Sequence, residues 1–188
     1  MAGGTALALQ LGHRMSDDLD FFTSKTFRTE SIISAIKKTG LVYRVIYESE
    51  AHLVVEIDGV KFSLFHYEYP FIDTPVLYGK VSIAGILDIA SMKLIAIAQR
   101  GSKRDFADMY FILQRLPFHK VAGHAVRCFG KERVNPLVIG KALVYFADAD
   151  KEPEPRYMGQ TVKWEKVKSF FQNYAKQFCL DLQVALND

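Results

Sequence analysis

The sequence predicts an α/β first half followed by a mostly helical second half, and three observations predict it. Residues 41–67 hold runs of β-branched and aromatic residues joined at Asp58-Gly59, as in a hairpin. From Gly85 onward, apolar residues recur at helical spacing, with Ile89, Met92 and Ala96 on one face. Between Ala6 and Ile36 the two patterns alternate, which mixes helix and strand in one layer arrangement.

The elements follow in order. Ala6 to Gly12 reads as a short helix closed by its glycine, and Leu19 to Phe22 as a short strand that begins inside an acidic cluster. Thr29 is placed as an N-cap for a helix carrying Ile32, Ile33 and Ile36 and ending at Gly40. Leu41–Tyr47, His52–Ile57 and Val60–Tyr67 read as strands, Pro70 to Pro75 as an irregular link, and Val81–Ile83 as a short extended piece. Ile86–Ala98 and Lys103–Leu116 read as helices separated by Arg100-Gly101-Ser102, with Pro117 ending the second. His119–Phe129, Asn135–Tyr145 and Trp164–Leu186 complete the helical half, and the acidic stretch Asp148–Arg156, with Pro153 and Pro155, is expected to be an exposed loop. The expected division is an α/β core over residues 1–84 and a helical region over 85–188 that completes the site.

Composition narrows the classes. Of 188 residues, 49% are hydrophobic and 24% charged, enough to build a packed soluble domain. A net charge of +3 permits a nucleotide or RNA partner without arguing for one. The two cysteines, Cys128 and Cys179, are too far apart in sequence for a short metal or redox motif and fit a reducing cytoplasm. No apolar run is long enough to span a membrane, and the first residues lack the basic-then-apolar pattern of a signal peptide.

Two constellations carry chemistry. The first is Gly3-Gly4-Thr5 before a helix, then Asp18-Leu19-Asp20. Glycines let the backbone approach a ligand, and a helix N-terminus offers free N–H groups to phosphate oxygens, with the Thr5 hydroxyl as a further donor. On a strand, residues i and i+2 face one side, so Asp18 and Asp20 can share a hard cation such as Mg²⁺ or Mn²⁺, while Asp17 faces away. Arg14 either pairs with carboxylates or contacts phosphate. The bland alternative is that Asp17 and Asp18 cap a turn.

The second constellation is Lys93, Arg100, Lys103, Arg104 and Asp105. Lys93 and Arg100 are two helical turns apart on one face, and the bases that follow the Gly101-Ser102 break extend the charge. Lys as a point charge and Arg as a bidentate donor would make a triphosphate clamp. The alternative is a solvated helix end in which Asp105 and Asp108 pair with neighbouring bases.

The run from Gly3 through Gly-His-Arg-Met-Ser-Asp-Asp-Leu-Asp to Phe22 resembles the opening motif of the AbiEii/AbiGii nucleotidyltransferase toxin family, within the DNA polymerase beta-like superfamily. Asp88 to Lys93 with Arg100 to Tyr110 resembles its second motif, Arg104 standing where the family has lysine. The likeness extends to Tyr145–Asp150 and Trp164–Lys168.

This resemblance implies a small mixed nucleotidyltransferase sheet flanked by helices. It implies Asp18, Asp20, Lys93 and Asp105 as catalytic residues, with Asp18 and Asp20 on the metal. Nucleotide contacts would come from Gly3, Gly4, Thr5, Arg14, Lys93, Arg100, Lys103 and Arg104. It implies an enzyme moving NMP from an NTP to a hydroxyl, with the 3′ end of tRNA or another RNA as acceptor. The setting it implies is a phage-defence toxin with a cognate antitoxin.

The chain departs from the superfamily pattern on the strand Val60–Phe65, where Ser63 stands in place of a third acid. Glu56 or Asp58 could substitute. The glycine turn at residue 3 also leaves no preceding element to support it, which suggests a longer natural product. These departures motivate two further readings: a nucleotide-binding protein that has lost turnover, and an antitoxin-binding protein whose C-terminal helices are the interaction surface.

The remaining residues read as structural. His13, His66, His119 and His124 have no carboxylate or cysteine partner at metal spacing, and Cys128 reads as a small buried hydrophobe. Phe106, Tyr110 and Phe111 fit a helix core, and Trp164 an anchor for the last helix.

Overall fold

A computed structural model describes residues 1–187. The elements run α1 (Gly3–Leu11), β1 (Leu19–Thr23), α2 (Thr29–Lys38), β2 (Tyr43–Ser49), β3 (His52–Ile57), β4 (Val60–His66), β5 (Val76–Tyr78) and β6 (Val81–Ile83). Then come α3 (Ile86–Arg100), α4 (Lys103–Leu113), α5 (Phe118–Phe129), α6 (Pro136–Ala142), a 3₁₀ turn (Ala149–Lys151) and α7 (Trp164–Asn187). This is the expected α+β fold: a small mixed sheet flanked by helices, with a helical C-terminal half.

The sheet order is β1-β4-β3-β2, with β1 parallel to β4 and the other pairs antiparallel. The β3–β4 hairpin turns at Asp58 (φ +45°) and Gly59 (φ +79°), the two successive positive φ angles that Asp-Gly supplies at low strain. One sheet face carries Leu53 and Val55, which pack with Ile36, Ile32 and Ile33 of α2 in a small core of their own. The other face carries Asp20 and its register partner Ser63.

The main core joins α1 to the helical half. Ala2, Ala6 and Leu7 are fully buried with Ile89, Leu94, Phe106, Met109, Phe171 and Leu182. That core therefore crosses the expected boundary at residues 84 and 85.

The structure shifts some expected elements. The helix begins at Gly3, so the glycines form its first turn rather than a loop before it. Arg28, not Thr29, takes the N-cap position of α2. Asn135 caps α6 through bonds from the Leu137 and Val138 N–H groups, and that helix stops at Ala142. The Pro70–Pro75 link leads into β5, which pairs with β6.

The segment 148–156 is mostly exposed irregular chain around a short 3₁₀ turn, as its composition predicts, and it is tied to the helices beside it. Asp150 accepts from the Trp164 indole at 2.6 Å, and Glu152 accepts from Ser102 Oγ and Lys103 N at 2.9 and 2.8 Å, capping α4. Among the described residues no helix is long and apolar enough to cross a membrane.

Candidate active site

Asp18 immediately precedes β1 and Asp20 lies within it, the i, i+2 spacing that on an extended backbone sets two side chains on one side. The first turn of α1 sits against them. Ala2 bridges to Asp20, its N–H donating to the Asp20 carbonyl at 3.0 Å. Gly3 has φ +80°, and a Cβ there would stand 3.1 Å from Asp20 Oδ2. A side chain at residue 3 would thus strain the backbone and crowd the carboxylate at once. Thr5 is buried; its hydroxyl lies 2.9 Å from Ser16 Oγ and also bonds the Asp18 carbonyl. Thr5 therefore holds the aspartate loop, instead of standing open as a phosphate donor.

Among the described residues, neither the Asp18 nor the Asp20 carboxylate has a hydrogen-bond or ion-pair partner. Asp17 points elsewhere and pairs with Arg156. Two free carboxylates two residues apart, one of them beside a glycine where a Cβ would intrude, fit a hard divalent cation bound through oxygen. Ser63, next to Asp20 in register, is buried and offers only a hydroxyl. Glu56 pairs with Arg44 at 3.2 Å, and Asp58 accepts from Val42 N at 3.2 Å.

Behind the aspartates lies a buried ionic network. Arg14 is clamped by Asp108, Nε to Oδ1 at 2.6 Å and a terminal nitrogen to Oδ2 at 2.8 Å. His13 Nε2 lies 2.8 Å from the same Oδ1. Lys93 Nζ sits between Asp105 Oδ1 at 2.7 Å and Asp108 Oδ2 at 2.6 Å. Arg100 grips Asp105 bidentately, at 2.7 and 3.0 Å. Three cations (Arg14, Lys93, Arg100) face two carboxylates (Asp105, Asp108), leaving one positive charge beyond balance. Arg100, whose side chain is 64% exposed, carries it toward solvent.

The titration of these groups reflects the pairing. Burial pushes the Asp108 carboxyl up, but Lys93, then His13 and Arg14, outweigh it and hold the group far below the usual carboxylate range. Asp105 is likewise lowered: burial opposes, while Lys93 and Arg100 prevail. Lys93 is raised because the two aspartates overcome its burial. Arg100 is raised by its hydrogen bond to Asp105, with Asp20 adding to the effect.

The structure thus brings Lys93, Arg100 and Asp105 together, and shows the pairing of Asp105 and Asp108 with bases, here buried instead of solvated. Lys103 departs from the cluster: its ammonium is buried, 3.3 Å from Glu154 and over the Trp164 ring. Arg104 is exposed. Asp108 was legible as a partner of neighbouring bases but not of His13 and Arg14, which lie 95 and 94 positions away. A second grouping also escaped the sequence reading. Asp88, His124 and Cys128 are buried with their ligand atoms within 4.8 Å of one another, so His124 does have carboxylate and thiol neighbours. Its only sequence signal was the one-turn spacing of His124 and Cys128.

The family model for the nucleotidyl transferase AbiEii toxin of type IV toxin–antitoxin systems matches residues 1–45, the segment holding the glycines, Arg14 and both aspartates. The protein aq_aa25 of Aquifex aeolicus (strain VF5) is 40% identical over 182 residues, covering 95% of this chain and 86% of that protein. The chain belongs to the AbiEii nucleotidyltransferase toxin family. Two structures from Helicobacter pylori share the AbiEii-family chain's fold. One is a candidate nucleotidyltransferase, with a TM-score of 0.56 at 18% identity, covering 97% of this chain and 86% of that one. The other is JHP933, with the same score and identity, covering 97% and 84%.

Proposed function

We propose that this AbiEii-family chain transfers a nucleoside monophosphate from an NTP to a hydroxyl acceptor, with Asp18 and Asp20 as the ligands of Mg²⁺ or Mn²⁺. The observation that carries the reading is the pair of partner-free carboxylates two residues apart, with Asp20 against Gly3. When bound, the cation neutralises phosphate charge and stabilises the leaving pyrophosphate. In this reading residues 1–84 supply the metal-binding face and residues 85–188 complete the site.

The chain's own residues divide the work. The first-turn N–H groups of α1 at Gly3 and Gly4 face the anionic ligand, favoured by the helix dipole. Thr5 and Arg14 set the loop 13–18 that carries Asp18. Arg100 and the exposed Arg104 meet the triphosphate. Lys93 and Asp105 position Arg100 and sustain the local positive field, and Lys103 steadies the start of α4.

The acceptor we assign is the 3′ end of tRNA, the setting a phage-defence toxin with a cognate antitoxin, and the compartment the cytoplasm, where the free thiols Cys128 and Cys179 stay reduced. Incubation with each labelled NTP, Mg²⁺ and total tRNA tests this. Label should move to RNA and be lost in Asp18→Asn and Asp20→Asn while folding is kept. Transfer that survives both substitutions would overturn the assignment. Nucleotide binding without transfer would instead favour a binding protein, a reading that the buried Ser63 in place of an acid supports.

A further inference from the structure

The Asp88 carboxylate is buried at 3% exposure, yet among the described residues no lysine or arginine pairs with it. This sets it apart from Asp105 and Asp108, each held by two cations. A lone buried carboxylate is unfavourable unless something compensates its charge. Here the neighbours are soft and borderline donors. His124 Nε2 lies 2.7 Å from Asp88 Oδ1, and Cys128 Sγ lies 3.9 Å from the same oxygen. His124 and Cys128 are one turn apart on α5 and so share a face toward the first turn of α3.

We propose that Asp88, His124 and Cys128 form a buried site for a thiophilic divalent cation of the zinc class, separate from the Asp18 and Asp20 pair. One imidazole nitrogen, one carboxylate oxygen and one thiolate are a donor set that zinc accepts and Mg²⁺ does not. A dication with one carboxylate and one thiolate leaves the buried site neutral. The ligand atoms lie within 4.8 Å of one another, the scale of a single coordination shell.

The outer contacts that orient metal ligands are present. Asp88 Oδ1 accepts from Ile72 N at 3.0 Å and Oδ2 from Asp73 N at 3.1 Å, which ties the carboxylate to the 72–73 backbone and leaves lone pairs for a cation. On binding, the Cys128 thiol gives its proton to solvent, and the imidazole proton moves from Nε2 to Nδ1. The Arg127 guanidinium, 3.4 Å from Nδ1, then turns to solvent. Asp88 is in the first turn of α3, about 7.5 Å along the axis from Lys93 and about 18 Å from Arg100. The site would therefore brace α3, α5 and the 72–73 segment without touching the transferred phosphate.

The test uses metal-stripped full-length protein titrated with Zn²⁺ by calorimetry and with Co²⁺ by absorption. One equivalent should bind, and Co²⁺ should show a thiolate charge-transfer band. Cys128→Ser and His124→Gln should each weaken Zn²⁺ by more than about tenfold, since even outer-shell changes cost 10- to 100-fold. Cys179→Ser should keep the band, which preserves the test if the Cys128 variant fails to fold. Asp18→Asn should leave Zn²⁺ binding unchanged. Failure to bind Zn²⁺, a Co²⁺ complex without the thiolate band, or binding that persists in Cys128→Ser would overturn the proposal.

Discussion

Asp108→Asn is the substitution that most directly probes how the site is held. The Asp108 side chain is 0% exposed and takes two bonds from Arg14, one contact from His13 and one from Lys93. An amide keeps the volume but loses the charge, and its NH₂ group faces cationic donors instead of accepting from them. Lys93 keeps Asp105; Arg14 keeps only the Met15 carbonyl. Removing one partner of a buried pair costs about 3–5 kcal/mol. That is a large share of the roughly 5–15 kcal/mol that holds a typical domain. At about 2–4 °C per kcal/mol for a chain of this size, the melting temperature should fall by about 6–20 °C. Circular dichroism during urea and thermal unfolding measures both quantities. Lys93→Met added to Asp108→Asn should cost less than the sum of the single changes, because the two share one network. A loss below about 1 kcal/mol, or strict additivity of the pair, would refute the account of the network.

Three other outcomes follow from the geometry. Asp105 and Asp108 titrate below the ordinary carboxylate range when folded, so the unfolded chain binds more protons in acid; their stabilisation is complete above about pH 4–5 and is lost as pH falls further, and Asp108→Asn should flatten that acid limb of the urea midpoint. Gly4→Ala would place a Cβ 2.5 Å from a terminal nitrogen of Arg14 and 3.2 Å from Ser16 Oγ, and since Arg14 cannot move without leaving Asp108, a loss of about 1–3 kcal/mol is expected in chemical denaturation. Burial, with Asp88 beside it, pushes the Cys128 thiol up to about 11, so iodoacetamide at pH 8 should alkylate Cys179 first in the native metal-free protein and both thiols in urea, as read by peptide mass.

Much of the fold was legible because it is local. Asp58-Gly59 marks its hairpin, and the period of Ile32, Ile33 and Ile36 marks α2, since turn chemistry and amphipathic spacing are properties of neighbours. The proposed metal-binding face rests on an equally local signal: Asp18 and Asp20 need only an extended backbone between them. The buried network was not, because a charged run such as Arg100 to Asp105 looks alike whether it meets solvent or a carboxylate brought from elsewhere. Lys103 illustrates this, reading as a phosphate ligand in sequence yet lying over Trp164, 61 positions on. The 148–156 segment is the mostly exposed loop its composition predicts, but the partners that tie it down were not legible. Prolines and acids describe its own preferences, whereas its bonds to Ser102, Lys103 and Trp164 are made by residues outside it.

Residues 13–15 are paired with residues 156–158: Met15 N donates to the Arg156 carbonyl at 2.8 Å, and Met158 N to the His13 carbonyl at 3.0 Å. During synthesis the aspartate loop therefore emerges early with only its Thr5 and Ala2 bonds, and its remaining bonds wait until most of the chain has followed. Loop closure over so long a separation is slow. Residues 1–100 of a growing chain can form the sheet and hairpin, yet Arg14 has no carboxylate to clamp it until Asp108 is made, and no backbone to pair with until Tyr157 is made. The fully bonded loop is thus a late event in folding, and a nascent or truncated chain carries the aspartates without the contacts that fix them.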